Sequence, residues 1–227
     1  MYSSVGHGGA SGYLALMSFY HFAPEQMRPA ALLLNIVVSL IAWWQYSRTV
    51  DLKMKLFLWL IIGSIPTAFA GSLISIDAAL YKQLLGILLI FPAARMFGFF
   101  KSSARTPNEP GMLTAILIGA CIGFMSGLIG IGGGIILSPL LILLGWANVK
   151  QTALISALFI FVNSLSGIAG LVMNDAQFDT VLYLWIVVAI LGGIAGAYIG
   201  SRKLAPVQLK RILGIVLLFA GLKLIFF

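Results

Sequence analysis

Two short glycine-rich stretches hold most of the residues that could do chemistry in an otherwise apolar chain. The first, "VGHGGASGYLALMSF" (residues 5–19), carries Gly6, His7, Gly8, Gly9 and Ser11. The second, "IGIGGGIILSPLLIL" (residues 129–143), carries Gly130, Gly132, Gly133, Gly134 and Ser138. Glycine is a poor helix former and adopts backbone angles closed to other residues, so a run of it within an apolar segment marks an interrupted helix. The helix that restarts after the interruption offers unbonded N–H groups and a positive dipole end, which together attract an anion. Gly8-Gly9-Ala10 would open one half-helix, over 10–20, and Gly132-Gly133-Gly134 another, over 134–145. Aimed at each other, the two starts would form a compact anion site with no buried lysine and no fixed full charge. An isolated GxxxG more often serves close helix packing. Here the run is contiguous and occurs twice.

Other polar residues fall within the apolar runs. Asn35 in "LLLNIVVSL" and Asn163 in "IFVNSLSGI" are carboxamides that either cross-link helices or bind substrate. Ser11, Ser138, Ser156, Ser164 and Ser166 either line a cavity or bond back to their own helices. Pro139 is expected in the first turn of its half-helix, where a missing N–H is tolerated. No Asp or Glu falls mid-helix, so His7 is the candidate proton carrier if transport is proton-coupled; the alternative is a neutral histidine held by local backbone. A single cysteine, Cys121, excludes a disulfide framework and a zinc site, and its apolar surroundings predict a packed core position. No metal and no cofactor are expected.

The elements that must position these residues follow from composition. The 227 residues are 61% hydrophobic and only 9% charged, against roughly 25% charged in a soluble domain. The outer surface must therefore face lipid. Apolar runs near the length of about 20 residues that a helical crossing needs occur at 30–46, 56–76, 80–100, 112–145, 152–173, 180–200 and 207–227. Strict two-residue alternation is absent, which argues against a β-barrel. The net charge of +8 resides between the runs, as in cytoplasmic loops lying against anionic lipid, and does not point to nucleic acid. The start, "MYSSVGHGGASG", lacks the features of a signal peptide, and "KSSARTPNEPG" (101–111) is linker-length, leaving no soluble catalytic domain.

The chain reads as a duplication. The glycine runs superpose at Gly6/Gly130, Gly8/Gly132 and Gly9/Gly133, Asn35 falls near Asn163, and "KQLLGILLIF" (82–91) matches "KRILGIVLLF" (210–219). Residues 1–100 form the N-terminal repeat, 101–111 a cytoplasmic linker and 112–227 the C-terminal repeat. Basic loops at 47–55 and 201–211 belong inside, and the acidic 75–80 and 173–179 outside. Segment 112–145 then enters and returns on one side. The run 30–46 crosses inward and its partner 152–173 outward. The expected fold is all-α integral membrane: two inverted repeats of transmembrane helices with glycine-broken re-entrant half-helices, an architecture of transporters. The first repeat lacks the limb that 112–127 supplies to the second, so a missing upstream apolar segment is expected.

"GLIGIGGGIILSPLL", followed by "ALISALFIFVNSLSGIAG", resembles the sulfite exporter TauE/SafE family of membrane permeases, and "SSVGHGGASGYLALM" looks like its short bacterial members. The resemblance covers essentially the whole chain. It implies a secondary transporter in the cytoplasmic membrane that moves sulfite, an organosulfonate or another sulfur oxyanion by alternating access. The partner the resemblance implies is a small anionic substrate; the residues themselves add membrane lipid, protons as coupling ion through His7, and a second copy in a homodimer as expected partners. The competing readings are an anion channel, an assembly subunit and an intramembrane serine protease built on "GASG" at 9–12. The last fails because His7 and His21 lie in the same segment as Ser11, where neither can serve as a facing base.

Overall fold

A computed structural model describes residues 10–20, 22–48, 50–97, 110–174, 187 and 206–226. Eight helices are described: α1 (Ala10–Phe19), α2 (Pro24–Ser47), α3 (Met54–Leu73), α4 (Ala78–Met96), α5 (Met112–Ile129), α6 (Gly134–Leu143), α7 (Val149–Met173) and α8 (Pro206–Phe226). No strand occurs among the described residues. Helices α2, α3, α5 and α7 are long and apolar enough to cross a bilayer. The run expected at 180–200 lies outside the described residues except for Val187.

Local sequence fixes several boundaries. Pro24 opens α2, where its missing N–H is harmless and Glu25 complements the helix dipole. This start precedes the apolar run, so α2 takes in Arg28 and Pro29. A capping box begins α7, with Asn148 accepting from the Gln151 backbone and Gln151 returning the bond. Pro139 is the sixth residue of α6 rather than part of its first turn, as had been expected.

Contacts set the helix directions. Gly119, Gly123 and Gly127 of α5 lie against Leu60, Ser64 and Ala68 of α3, so the two helices run parallel. Helix α7 follows the same direction: Ser166 donates to the Ile65 carbonyl at 2.7 Å and Asn174 to that of Leu73 at 3.3 Å. Helix α6 doubles back along α7, with Ser138 beside Ser156 and Gly134 beside Ile160. Helix α4 crosses α8 in the opposite sense, at Gly86 against Gly221 and Ile225.

Two apolar clusters result. One joins residues of α1, α2, α4 and α8 around Leu14, Tyr81, Leu85 and Leu217 and takes in Ile129 at the end of α5 and Ile135 at the start of α6; the other joins α3, α5, α6 and α7 around Leu60, Leu137 and Phe159. The outer faces are also apolar, with Leu113 and Leu117 of α5, Ile62 of α3 and Phe219 of α8 all exposed. In water such surface would drive association; in a bilayer it is the solvent-matched face. Cys121 is exposed on this surface and not packed in a core.

Candidate functional site

The glycine run does break the helix. Helix α5 ends at Ile129, and Gly130 takes the left-handed conformation (φ 85°) while its N–H caps the Ser126 carbonyl at 2.8 Å. Gly132 and Gly133 both stand at φ 75° before α6 begins at Gly134. A residue with a Cβ would lose about 1–2 kcal/mol at each such position. The first helical bonds of α6 run from the Ile136 and Leu137 N–H groups to the Gly133 carbonyl. The N–H groups before them have no acceptor within the helix. No side chain caps Gly133 either.

The two sides of the break are served differently. On the carbonyl side, the end of α5 is satisfied: Arg28 donates to the Gly127 carbonyl at 3.0 Å and the Tyr81 hydroxyl to that of Ile129 at 3.0 Å. The donor side, at the start of α6, is surrounded by polar groups with no partner among the described residues. A Cβ on Gly132 would stand 2.9 Å from Asn35 Nδ2 and 3.2 Å from Ser164 Oγ, so both groups converge on this glycine. Asn35 is fully buried, yet neither Nδ2 nor Oδ1 makes a hydrogen bond, and the hydroxyls of Ser164 and Ser126 make none. Buried polar groups are normally paired, and each orphan costs about 1–3 kcal/mol. Bare helix N–H groups, an amide and a hydroxyl around one glycine lack an acceptor. A small oxyanion would supply it.

Of the expected site residues, the fold brings Asn35, Gly130, Gly132, Gly133 and Gly134 together, with Ser164 among them. Ser138 turns elsewhere: its hydroxyl lies 2.8 Å from both the Gly134 carbonyl and Ser156 Oγ. Asn163 donates to the Phe159 carbonyl of its own helix at 2.8 Å and leaves only Oδ1 orphaned. Ser166 is half-buried, and its hydroxyl is spent on tying α7 to the Ile65 carbonyl of α3. Gly6, His7, Gly8 and Gly9 lie outside the described residues; Ser11 falls in the first turn of α1. No cluster of His, Cys, Asp or Glu among the described residues could hold a metal.

Arg28 corrects the expectation of a break without fixed charge. Only 8% exposed, it donates to the carbonyls of Ile74 (3.2 Å), Ser72 (3.1 Å) and Gly127 (3.0 Å), joining the ends of α3 and α5. Its backbone lies against Gly130, with Cα 3.1 Å from where a Cβ would stand. The sequence carried a sign of this: Arg28 precedes Asn35 by two helical turns and so shares its face of α2. An intramembrane arginine is costly to insert and points to function or to a specific partner.

Helical throughout its described residues, lipid-facing outside and broken at a buried polar centre, the molecule is a multi-pass integral membrane protein. The chain belongs to the Sulfite exporter TauE/SafE family, whose family model matches residues 1–224. It is 34% identical to a probable membrane transporter protein of Sinorhizobium fredii, over 99% of this chain and 92% of that one. A probable membrane transporter protein of Methanocaldococcus jannaschii is 27% identical over 97% of this chain and 88% of its own length. A third, from Bacillus subtilis, is 28% identical over 97% of this chain and 93% of its own. No solved structure matches. The protein is thus a membrane transporter and not an enzyme.

Proposed function

We propose that the protein is a secondary transporter of the cytoplasmic membrane that binds a small anion, sulfite or another sulfur oxyanion, at the start of α6 and moves it by alternating access. One observation carries this reading: the buried, unbonded Asn35 amide and Ser164 hydroxyl meet at Gly132 beside an uncapped helix N-terminus. The family's name supplies the sulfur oxyanion. His7, in the first glycine run, is the proposed proton carrier.

The same proposal includes inverted repeats with a re-entrant segment. Helix directions support it. The start of α5 and the end of α6 both belong at the level of Lys53, which precedes α3 and donates to the Trp146 carbonyl at 3.0 Å. The short helices α1 and α6 each have 10 residues. Helix α1 ends beside Lys223, which donates to the Phe19 carbonyl, near the end of α8 and so at the opposite level. Helices α2 and α7 run antiparallel, with Leu32 against Gly167 and Asn35 near Ser164.

Uptake into proteoliposomes, with sulfite, sulfate, thiosulfate and sulfoacetate competing, tests the transport reading. Saturable sulfite flux suppressed by a chosen few of these anions is expected. Flux that rises linearly without saturating would make the protein a channel, and flux indifferent to all of them would remove the anion site. Single cysteines at positions 78 and 205, in a Cys121→Ser background, should be labelled from opposite sides of the membrane; labelling from one side would end the inverted arrangement.

A further inference from the structure

The orphaned groups at Gly132 differ in kind. The N–H groups opening α6, Asn35 Nδ2 and the Ser164 hydroxyl can all donate to an oxyanion. Asn35 Oδ1 can only accept, and it too is buried without a partner. Turning the carboxamide over exchanges its two ends and still leaves one acceptor in place. A fully deprotonated oxyanion brings only acceptors and would set oxygen against oxygen there. An oxyanion that retains one hydroxyl brings the missing donor.

Charge points the same way. Arg28 lies two helical turns from Asn35, about 10 Å along α2, and its hydrogen bonds all go to backbone carbonyls. Among the described residues no carboxylate pairs with it, and Glu25, one turn earlier, is exposed. The other ionisable group against the break is Tyr81, which is buried and bonded to the Ile129 carbonyl. No ionisable side chain occurs on α6, and α5 carries only the outward Cys121. On α7 the one charged residue, Lys150, is exposed in the first turn. Among the described residues, the buried charge near the break is thus a single positive one, which a single negative charge on the solute would balance.

We propose that the break selects a singly charged oxyanion that keeps one O–H, over dianions and over monoanions without a hydrogen to donate. For sulfite this is hydrogensulfite in its hydroxyl form. The inference rests on the anion-site reading above and narrows it by protonation state.

Binding to the purified full-length protein, with no pH gradient, separates the two. Sulfite loses its second proton near neutral pH, methanesulfonate is a monoanion with no O–H throughout, and sulfate is a dianion. Between about pH 8 and about pH 6 the apparent Kd for total sulfite should tighten about tenfold, following the monoanion. Methanesulfonate should bind more weakly and, in His7→Ala, where the proposed proton carrier no longer titrates, without pH dependence; sulfate should bind more weakly still. In Asn35→Leu, sulfite at the lower pH and methanesulfonate should bind alike. Equal binding of sulfate, or methanesulfonate as tight as sulfite in the wild-type protein, overturns the proposal. So does a pH dependence that methanesulfonate shares in His7→Ala, which would assign the titration to other groups of the protein. Binding by none of the three would remove the anion site itself, and this inference with it; anion binding without the preference removes the inference alone.

Discussion

Two glycine-rich regions meet end to end in α5 and have opposite purposes. Along the helix, Gly119, Gly123 and Gly127 repeat every four residues and let α5 lie directly on the backbone of α3 at Leu60, Ser64 and Ala68. Their backbone is ordinary helix, and only the missing side chain matters. Past Ile129, Gly130, Gly132 and Gly133 are needed for their positive φ, and the chain turns back. The neighbours differ accordingly. A Cβ on the first set meets backbone, which cannot move; on Gly133 it meets the Phe159 ring and the Ile122 methyl at 2.8 and 2.9 Å, which can. Spacing alone distinguishes the uses: every fourth residue for contact, nearly contiguous for reversal.

Substitutions should separate the regions. The largest effect is expected from Gly127→Leu, whose side chain would be driven into the Ala68 carbonyl. A loss of about 4 kcal/mol or more is anticipated, read as failure to recover monodisperse protein from detergent extracts. Gly133→Val should behave differently. The left-handed position disfavours valine by about 1–2 kcal/mol, so the protein should still insert and elute as a single species while sulfite uptake falls at least tenfold, about 1.4 kcal/mol. Normal flux in that variant would show that the break serves packing alone. Asn35→Leu should have the smallest effect on stability and the opposite sign. Removing two orphaned polar atoms should raise the thermal midpoint, by an amount worth about 1 kcal/mol, even as the preference for sulfite over methanesulfonate is lost. A lowered midpoint would mean that Asn35 has a structural partner.

Much of this was legible in the sequence. Runs of apolar residues located six of the helical segments because hydrocarbon thickness sets their length, and the contiguous glycines located the break between α5 and α6. The packing stripe on α5 was less visible, since a four-residue glycine period inside an apolar run gives no clue to which helix lies against it. Cys121 was misplaced because hydropathy does not separate a core from a lipid-facing surface when both are apolar. Arg28 was missed for a related reason. Basic residues mark loops on charge-counting grounds, and an arginine next to a proline looks like the edge of a run; the helix had already started four residues earlier, at Pro24. Nothing in composition reveals that three carbonyls from two other helices converge on its guanidinium.

That guanidinium has a mechanical consequence. Because one side chain fastens the far ends of α3 and α5 to the beginning of α2, prying these helices apart would strip a cation of three carbonyl ligands where little water can replace them. They must travel as one rigid block. Under the alternating access proposed above, the rearrangement that exposes the turn at Gly132 to each compartment therefore has its hinge elsewhere.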